Sequence, residues 1–325
     1  MAEMRIAIVA QSATFANEAL VQVGCRGADW YLMTPAEALA TLGAGDAAIG
    51  RIDVLPTLDG VDDGIWVLGT LAARGVTVLN GAPALLAAHD KLLTARLLRR
   101  AGLPHPRTRL ITGDRPSSPL RAPVVVKPRF GSWGLGVERC DDEASLASLL
   151  AQLPREPWYH AHGALVQELV PPLGFDLRIV VAHDHVIGAI SRVAAPGEWR
   201  TNVALGAERR EVVPPPDACA IALAAARATG GALVGIDLLP DGRGRWTVAE
   251  INGAVEFTNQ YALRPGADPF AEAAFRLAGA AICARVGEPA QAVPAVNGQG
   301  SAPASPCYTA GLLGGVAQLV RAAES

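Results

Sequence analysis

The fold is indicated most directly by the stretch Leu233-Val-Gly-Ile-Asp-Leu-Leu-Pro-Asp-Gly-Arg-Gly-Arg-Trp-Thr-Val-Ala-Glu-Ile-Asn252. Two apolar runs lie on either side of the turn signal Asp241-Gly242. Short apolar runs joined by such a turn are typical of paired strands. We therefore predict strands over 233–239 and 245–251 that form a hairpin.

Three polar side chains lie at the ends of these two predicted strands: Asp237, Glu250 and Asn252. Alternate residues of a strand share a face, so Glu250 and Asn252 point the same way, and a paired strand can place Asp237 beside them. Their oxygen atoms suit Mg²⁺, which prefers carboxylates supplemented by waters and phosphates. The alternative is a strand cap with two surface polar groups, but unpaired acids inside apolar runs would be costly. The pattern favours a magnesium site.

Upstream of this hairpin, residues 4–88 alternate predicted strands and helices, with strands over 5–10, 52–56 and 76–80. This pattern is typical of a small α/β layer. The first strand is not followed by GxGxxG, so a dinucleotide site there is unsupported.

The middle of the chain alternates short β-rich runs with amphipathic helices. The helix that begins near residue 90 ends at Gly102, with Pro104 beyond it, which is a well-formed C-terminal signal. The remaining predictions are strands over 107–112, 122–127 and 164–170, helices over 142–153, 216–229 and 269–286, a hairpin over 176–190 and a polar loop over 191–210.

We expect an α/β protein with α+β subdomains in four segments. They are an N-terminal α/β domain over 1–88, a central lid subdomain over 89–170, a C-terminal subdomain with the metal site over 171–288, and a flexible tail over 289–325. The tail prediction follows from its Ala, Pro, Gly and Ser composition and its lack of periodicity.

Composition and charge narrow the class of protein. The net charge is −3 with both signs interspersed, which gives no electrostatic case for nucleic acid or anionic lipid as a partner. The most apolar stretch is interrupted by charged residues and glycines, so we expect no membrane span. Five cysteines without CxxC spacing fit reduced thiols. We expect a cytoplasmic protein without an export leader.

Lysine is scarce, since the 28 basic residues include only Lys91 and Lys127. In a chain that uses arginine for general charge, a retained lysine indicates a need for a compact ammonium, which suits a phosphate oxygen in a tight site. Lys127 follows three valines and precedes the glycine-rich run that begins at Gly131. Such a loop can approach phosphates and offer backbone N–H groups. A triphosphate ligand is therefore indicated.

The order of these features resembles the ATP-grasp superfamily over residues 5–286, and within it the RimK and LysX branch of carboxylate-amine ligases. The motifs that carry the resemblance are His89-Asp90-Lys91, Gly131-Ser-Trp-Gly134, Trp199-Arg-Thr-Asn202 and Asn252-Gly-Ala-Val-Glu-Phe-Thr-Asn259. The resemblance implies an ATP-grasp fold preceded by a Rossmann-like pre-ATP-grasp domain.

The resemblance also implies roles for individual residues. ATP would be bound by Lys91, Lys127, Gly131, Ser132, Trp133, Gly134, Gln167, Glu168, Leu169, Val170 and Asp176. The γ-phosphate and the reacting carboxylate would be surrounded by Arg178, Arg192, Arg200 and Asn202. Asp237, Glu250 and Asn252 would hold Mg²⁺, with Mn²⁺ as a substitute.

The implied activity is ATP-dependent ligation. The γ-phosphoryl group would pass to a carboxylate, and an amino acid or small amine would then attack the acyl phosphate. The carboxylate acceptor could belong to a carrier protein or peptide, and a homodimer or homotetramer is a reasonable assembly. Two alternatives stay open at this point: an ATP-grasp kinase that acts on a small molecule, and a catalytically inactive nucleotide-binding regulator.

Two substitutions test the implied site. Lys127→Ala removes a phosphate-binding ammonium and Glu250→Gln removes a metal-binding charge, so each variant should lose most ATP turnover while it stays folded. ADP release and circular dichroism measure the two properties. Wild-type turnover in either variant would contradict the assignment.

Overall fold

A computed structural model describes residues 4–25 and 27–286. The predicted flexible tail over 289–325 lies outside the described residues. Three sheets, each flanked by helices, make up the described part. No described helix has both the length and the apolar character needed to cross a membrane.

The first sheet is parallel and has the strand order β2-β1-β3-β4. Its strands and flanking helices are β1 (Met4–Val9), α1 (Phe15–Val23), β2 (Ala28–Met33), α2 (Pro35–Thr41), β3 (Ala47–Gly50), α3 (Ile65–Ala73), β4 (Thr77–Leu79) and α4 (Ala82–His89). A parallel sheet with crossover helices agrees with the predicted α/β layer.

Two predictions in this region were wrong. The strand expected over 52–56 is irregular apart from a single bridge at Val54, and the third strand lies earlier, at Ala47–Gly50. That strand is alanine-rich, so it lacks the β-branched residues that signal a strand. The prediction also lacked β2 and α2. The alternate residues of β2 are partly exposed because it is an edge strand, which weakens its apolar signal.

The second sheet is antiparallel, with the order β5-β8-β6-β7. The elements of this part are α5 (Lys91–Arg100), β5 (Thr108–Ile111), β6 (Val124–Pro128), β7 (Glu138–Cys140), α6 (Glu143–Gln152), α7 (Pro157–His162) and β8 (Ala164–Glu168). The glycine-rich run is a loop, as predicted, but the strand that follows it, β7, was not predicted.

The third sheet is antiparallel and has the order β11-β10-β9-β12-β13. Its part of the chain comprises β9 (Phe175–Ala182), β10 (His185–Val193), β11 (Glu208–Glu211), α8 (Pro216–Thr229), β12 (Leu233–Pro240), β13 (Trp246–Asn252) and α9 (Pro269–Val286). The structure confirms both predicted hairpins and both predicted helices. The expected loop over 191–210 is shorter, because β10 continues to Val193 and β11 begins at Glu208.

Each sheet lies within one of the predicted segments, and the segment boundaries stay predictions. The helices, however, pack across these segments. Helix α5 packs against α8, and Leu98 of α5 belongs to the core under the third sheet. Helix α9 covers the face of the first sheet that carries Ile6 and Ile8. Sheets from different segments therefore share apolar cores.

Asn80, directly after β4, joins the first sheet to the third. Its side-chain oxygen accepts from the backbone N–H groups of Ala232 and Leu233 at 2.6 and 3.0 Å, and its amide nitrogen donates to the Leu233 carbonyl at 2.7 Å. Asn80 is buried and has a positive φ of 49°, a conformation that asparagine tolerates better than most residues. Its side chain therefore satisfies backbone groups at the start of β12.

We expect Asn80→Ala to lower the free energy of unfolding by roughly 3 kcal/mol, because it leaves buried backbone groups without partners and places alanine at a positive φ. Urea unfolding followed by circular dichroism measures the change. Asn259→Ala is the matched control, since Asn259 is exposed and its loss should change stability by less than about 0.5 kcal/mol. Equal effects of the two substitutions would contradict the role of Asn80.

Candidate active site

A row of charged side chains crosses four strands of the third sheet. Asp176 and Arg178 lie two residues apart on β9, opposite Arg192 of β10 and Asp237 of β12, and Asp237 in turn lies opposite Glu250 of β13. Residues directly opposite each other in antiparallel strands place their side chains on the same face. The strand order therefore brings these five residues together.

The charges in the centre of this row pair with one another. Arg178 donates from Nε and Nη2 to Oδ1 and Oδ2 of Asp237, at 2.7 and 2.8 Å. Arg192 Nη2 lies 2.9 Å from Asp237 Oδ2, and Arg192 Nε donates to Asp176 Oδ1 at 2.8 Å. Burial acts to raise the pKa of Asp237, but the charges of Arg178 and Arg192 outweigh it and hold the pKa at about 2. Asp237 is therefore an anion at neutral pH.

Both carboxylate oxygens of Asp176, the residue predicted to bind ribose, accept hydrogen bonds from protein side chains. Its Oδ2 accepts from the hydroxyl of Thr201 at 2.6 Å, in addition to the bonds from Arg192. Burial raises the pKa of Asp176, against the opposing charge of Arg192. This carboxylate positions Arg192 and Thr201 in the structure, and its predicted contact with ribose stays a prediction.

The residues predicted to bind a metal ion lie at the β12–β13 edge of the row. Glu250 Oε1 is 2.9 Å from the ammonium of Lys91, and both oxygens of Asp237 already accept from arginines. The Asn252 amide nitrogen is buried and finds no protein acceptor among the described residues. Carboxylate and amide oxygens are the donors that a hard divalent cation prefers, so the donor types of Glu250 and Asn252 fit one. Glu250 and Asn252 are more available to it than Asp237.

Lys127 lies at the end of β6 with its ammonium almost enclosed; only 9% of the residue is exposed. Its Nζ donates to Gln167 Oε1 at 2.8 Å, and the Gln167 amide nitrogen donates to the Thr108 hydroxyl at 2.7 Å. Burial, with a further contribution from the charge of Lys91, lowers the pKa of Lys127 to about 8. An anionic ligand would therefore gain a strong and poorly solvated partner here.

The glycine-rich loop after β6 is held at both ends. Lys91 Nζ donates to the Gly131 carbonyl, and Arg200 Nη1 lies 3.3 Å from the carbonyl oxygens of Gly134 and Val137. Gly134 has a φ of 76°, and a Cβ atom there would come within 2.9 Å of the Asn202 side-chain oxygen. The loop therefore lies against the segment that carries Arg200 and Asn202, both predicted to contact the γ-phosphate.

Two clefts meet at this site. The first, of about 1040 Å³, is lined by every predicted site residue except Trp133, Arg178 and Asn252. Those three line a second cleft of about 1710 Å³ between the first and third sheets. The residues common to both clefts are Ser132, Arg192, Asn202 and Glu250. Four of the predicted site residues thus lie at the junction of the two cavities.

The predicted adenine-binding segment borders the first cleft. The Glu168 N–H donates to the Arg107 carbonyl at 3.0 Å, so only the Glu168 carbonyl is left to contact a base. The Glu168 carboxylate is also engaged, since it accepts from Arg107 Nε at 2.6 Å. Leu169 and Val170 complete this wall of the cleft.

Sequence reasoning missed several residues that position the predicted ones. Glu198 pairs with the Arg200 guanidinium at 2.9 Å, and the same guanidinium donates to carbonyls of the glycine-rich loop. Asp90, the N-cap of α5, pairs with Arg129 and so fixes the helix end that carries Lys91. The sequence did contain a signal for the pair of Asp90 and Arg129, because each residue lies within two positions of a predicted phosphate-binding lysine.

Comparison with known proteins identifies the family. The family model described as a RimK-like ATP-grasp domain matches residues 88–263. The chain belongs to this family. ATP-grasp relatives include the alpha-aminoadipate–LysW ligase LysX of Saccharolobus solfataricus, 33% identical over 190 residues, or 57% of this chain and 68% of the relative. A probable alpha-L-glutamate ligase of Legionella pneumophila is 33% identical over 215 residues, covering 64% of this chain and 68% of the relative.

The ATP-grasp fold is confirmed by comparison with solved structures. The RimK domain ATP-grasp protein of Sphaerobacter thermophilus aligns with a TM-score of 0.62 at 22% identity, over 85% of this chain and 100% of that chain. The fold class and the RimK/LysX-like branch predicted from sequence are therefore correct.

The lowered pKa of Lys127 predicts a pH dependence of ATP binding. Below pH 8 the ammonium is charged; above it the free protein loses this proton, so the Kd for ATP should rise about 30-fold between about pH 7 and about pH 9.5. Isothermal titration calorimetry measures it.

The matched control is Lys127→Met, which keeps the aliphatic stem without the titrating group. Its Kd should be weak throughout and nearly independent of pH in this range. A constant Kd in the unsubstituted protein, or the same pH dependence in both proteins, would contradict the assignment to Lys127.

Proposed function

We propose that the chain is an ATP-dependent carboxylate-amine ligase that releases ADP and forms an acyl phosphate intermediate. The observation that carries the proposal is the junction of two clefts at Ser132, Arg192, Asn202 and Glu250. A phosphoryl transfer needs its donor and acceptor to meet at one point with a stabilised charge between them. The names of the relatives, which are amino acid ligases, agree with this reaction class.

The first cleft is suited to ATP. Its phosphate end has the two lysines of the chain, Lys91 and Lys127, and backbone groups of the glycine-rich loop. Its other end is apolar, with Val125, Leu169 and Leu239 in the wall, which suits a purine ring. We place the γ-phosphate at the lysine end, toward the second cleft.

The second cleft is suited to the carboxylate and the amine. Arg178 and Arg209 contribute positive charge to its wall, and Asp53, Asp62 and Glu256 contribute negative charge. A carboxylate is attracted to the arginines, and a protonated amine to the acids. An amino acid carries both groups, so it matches this mixture of charges.

Within the proposed reaction, the substrate carboxylate attacks the γ-phosphorus, the bond to the β,γ-bridging oxygen breaks, and ADP leaves. The amine then attacks the acyl carbon, phosphate leaves, and the amine loses a proton to give the amide. A divalent cation held by Glu250 and Asn252 would supply neutralisation of the phosphate charge. Arg192, fixed by Asp176 and Asp237, stabilises negative charge at the junction. Positioning and electrostatics suffice, so no nucleophilic side chain is needed.

Hydroxylamine trapping tests this reaction. With Mg-ATP and a panel of carboxylates, the protein should form a hydroxamate that depends on one carboxylate class, because hydroxylamine captures an acyl phosphate in place of the amine. ADP and hydroxamate are measured together. Glu250→Gln should abolish both products, and Glu272→Gln, on the outer surface of α9, should leave them unchanged.

The outcomes separate the alternatives. Formation of ADP with a small-molecule acceptor, but without hydroxamate, would favour a kinase over a ligase. Tight ATP binding without turnover across amino acid, peptide and carrier-protein carboxylates would favour a nucleotide-binding regulator.

A further inference from the structure

A third cavity lies apart from the two clefts of the proposed active site. This groove, of about 1250 Å³, runs between α5 and strand β5, and it touches the nucleotide cleft only at Pro106 among the described residues. Its wall has four arginines: Arg96, Arg99, Arg107 and Arg109. Within the described part of the chain, no acidic side chain lines it.

Most of this positive charge is not neutralised by the protein. Arg107 pairs with Glu168, but the described residues offer no ion pair to Arg96, Arg99 or Arg109. All four side chains belong to exposed residues. Like charges held together around a concavity repel one another and attract anions, so the groove is a site of positive potential in a chain whose net charge is negative.

The floor of the groove is an open sheet edge. Strand β5 is the outermost strand of the second sheet. The Arg107 carbonyl accepts from the Glu168 N–H, which places the bonding groups of Arg107 and Arg109 on the β8 side. Because these groups alternate along an antiparallel pair, those of Thr108 and Leu110 point away from β8. Both residues line the groove, and Arg109 Nη1 caps the Thr108 carbonyl at 3.0 Å.

Apolar surface accompanies this edge. Leu110 is 37% exposed, and the half-buried Leu103 lies in the groove wall. An edge strand whose outward backbone groups are not paired with another strand, an exposed leucine and flanking cations match the way sheets accept an extended peptide. In that mode main-chain bonds give affinity and side chains give specificity, and a bound strand would take the place of Arg109 at the Thr108 carbonyl.

We propose that this groove binds a carboxylate-rich, extended segment of a partner protein, which adds to β5 as a further strand and places its acidic side chains against Arg96, Arg99 and Arg109. A peptide backbone is required to pair with Thr108 and Leu110, and a nucleic acid offers no such ladder. The inference is independent of the ligase reaction, because it concerns direct binding at a surface outside both clefts.

Fluorescence anisotropy with a labelled peptide of about twelve alternating threonine and glutamate residues tests the site. The full chain should bind this peptide, and Arg96→Glu with Arg99→Glu should weaken binding at least about tenfold. Arg100→Glu is the matched control: Arg100 neighbours Arg99 on the same exposed helix end but does not line the groove, so its Kd should change less than about twofold.

Two further probes separate strand addition from general attraction. The same peptide with alternate backbone nitrogens methylated keeps its charge but cannot pair with β5, so it should bind at least about tenfold more weakly. A single-stranded oligonucleotide of equal charge should also bind weakly.

Three results would overturn the proposal: no binding of the acidic peptide, equal losses in the Arg100→Glu and Arg96→Glu/Arg99→Glu proteins, or oligonucleotide binding as tight as peptide binding. Hydroxamate formation with small carboxylates should be the same in all these variants. This readout separates a failure of the groove from a failure of the proposed reaction.

Discussion

The buried alternation of charge through Asp176, Arg192, Asp237 and Arg178 is the constraint on which the active-site region depends. An isolated charge at this depth would cost several kcal/mol, so each member is tolerable only while its neighbours are in place. The pairing in turn requires one register among β10, β9 and β12. A slip of one residue in any one of these strands would move its members of the row to the opposite face of the sheet. The row thus links strand order to the position of the reacting groups.

The active-site contacts that could be predicted from the sequence are those between residues close together in the chain. The proximity of Glu250 and Asn252 follows from the two-residue period of a strand, and their partner Asp237 follows from a local turn. Saturation of Asp237 by two arginines could not be predicted in the same way. It depends on β9 lying between β10 and β12, a strand order that no short pattern encodes. The errors at β2 and β3 have a different cause, since an edge strand and an alanine-rich strand carry weak periodic signals.

Both lysines of the chain, Lys91 and Lys127, lie in tight polar surroundings at the proposed active site. The Lys127 ammonium is almost enclosed and donates to Gln167. The Lys91 ammonium pairs with Glu250 and donates to the Gly131 carbonyl, the first of the glycine-rich loop. A guanidinium is planar, larger and always charged, so it suits the enclosed position of Lys127 less well than an ammonium does. Composition pointed to these two residues, and the structure places both of them at the first cleft. The contact of Glu198 with Arg200 was less visible, because short-range ion pairs between partly exposed residues are common.

The shared core under α9 has a consequence for how the chain acquires its structure during synthesis. The face of the first sheet that carries Ile6 and Ile8 packs against Leu277 and Ala281, near the other end of the described chain. The opposite face is covered early, by Leu68 and Leu85 from α3 and α4. During synthesis, Ala16 and Leu20 of α1 can cover part of the face under α9 early, and the rest of its apolar surface stays exposed until α9 has been made. The core of the N-terminal layer is complete only when α9 is present. Truncation before residue 269 would therefore expose apolar surface and favour aggregation.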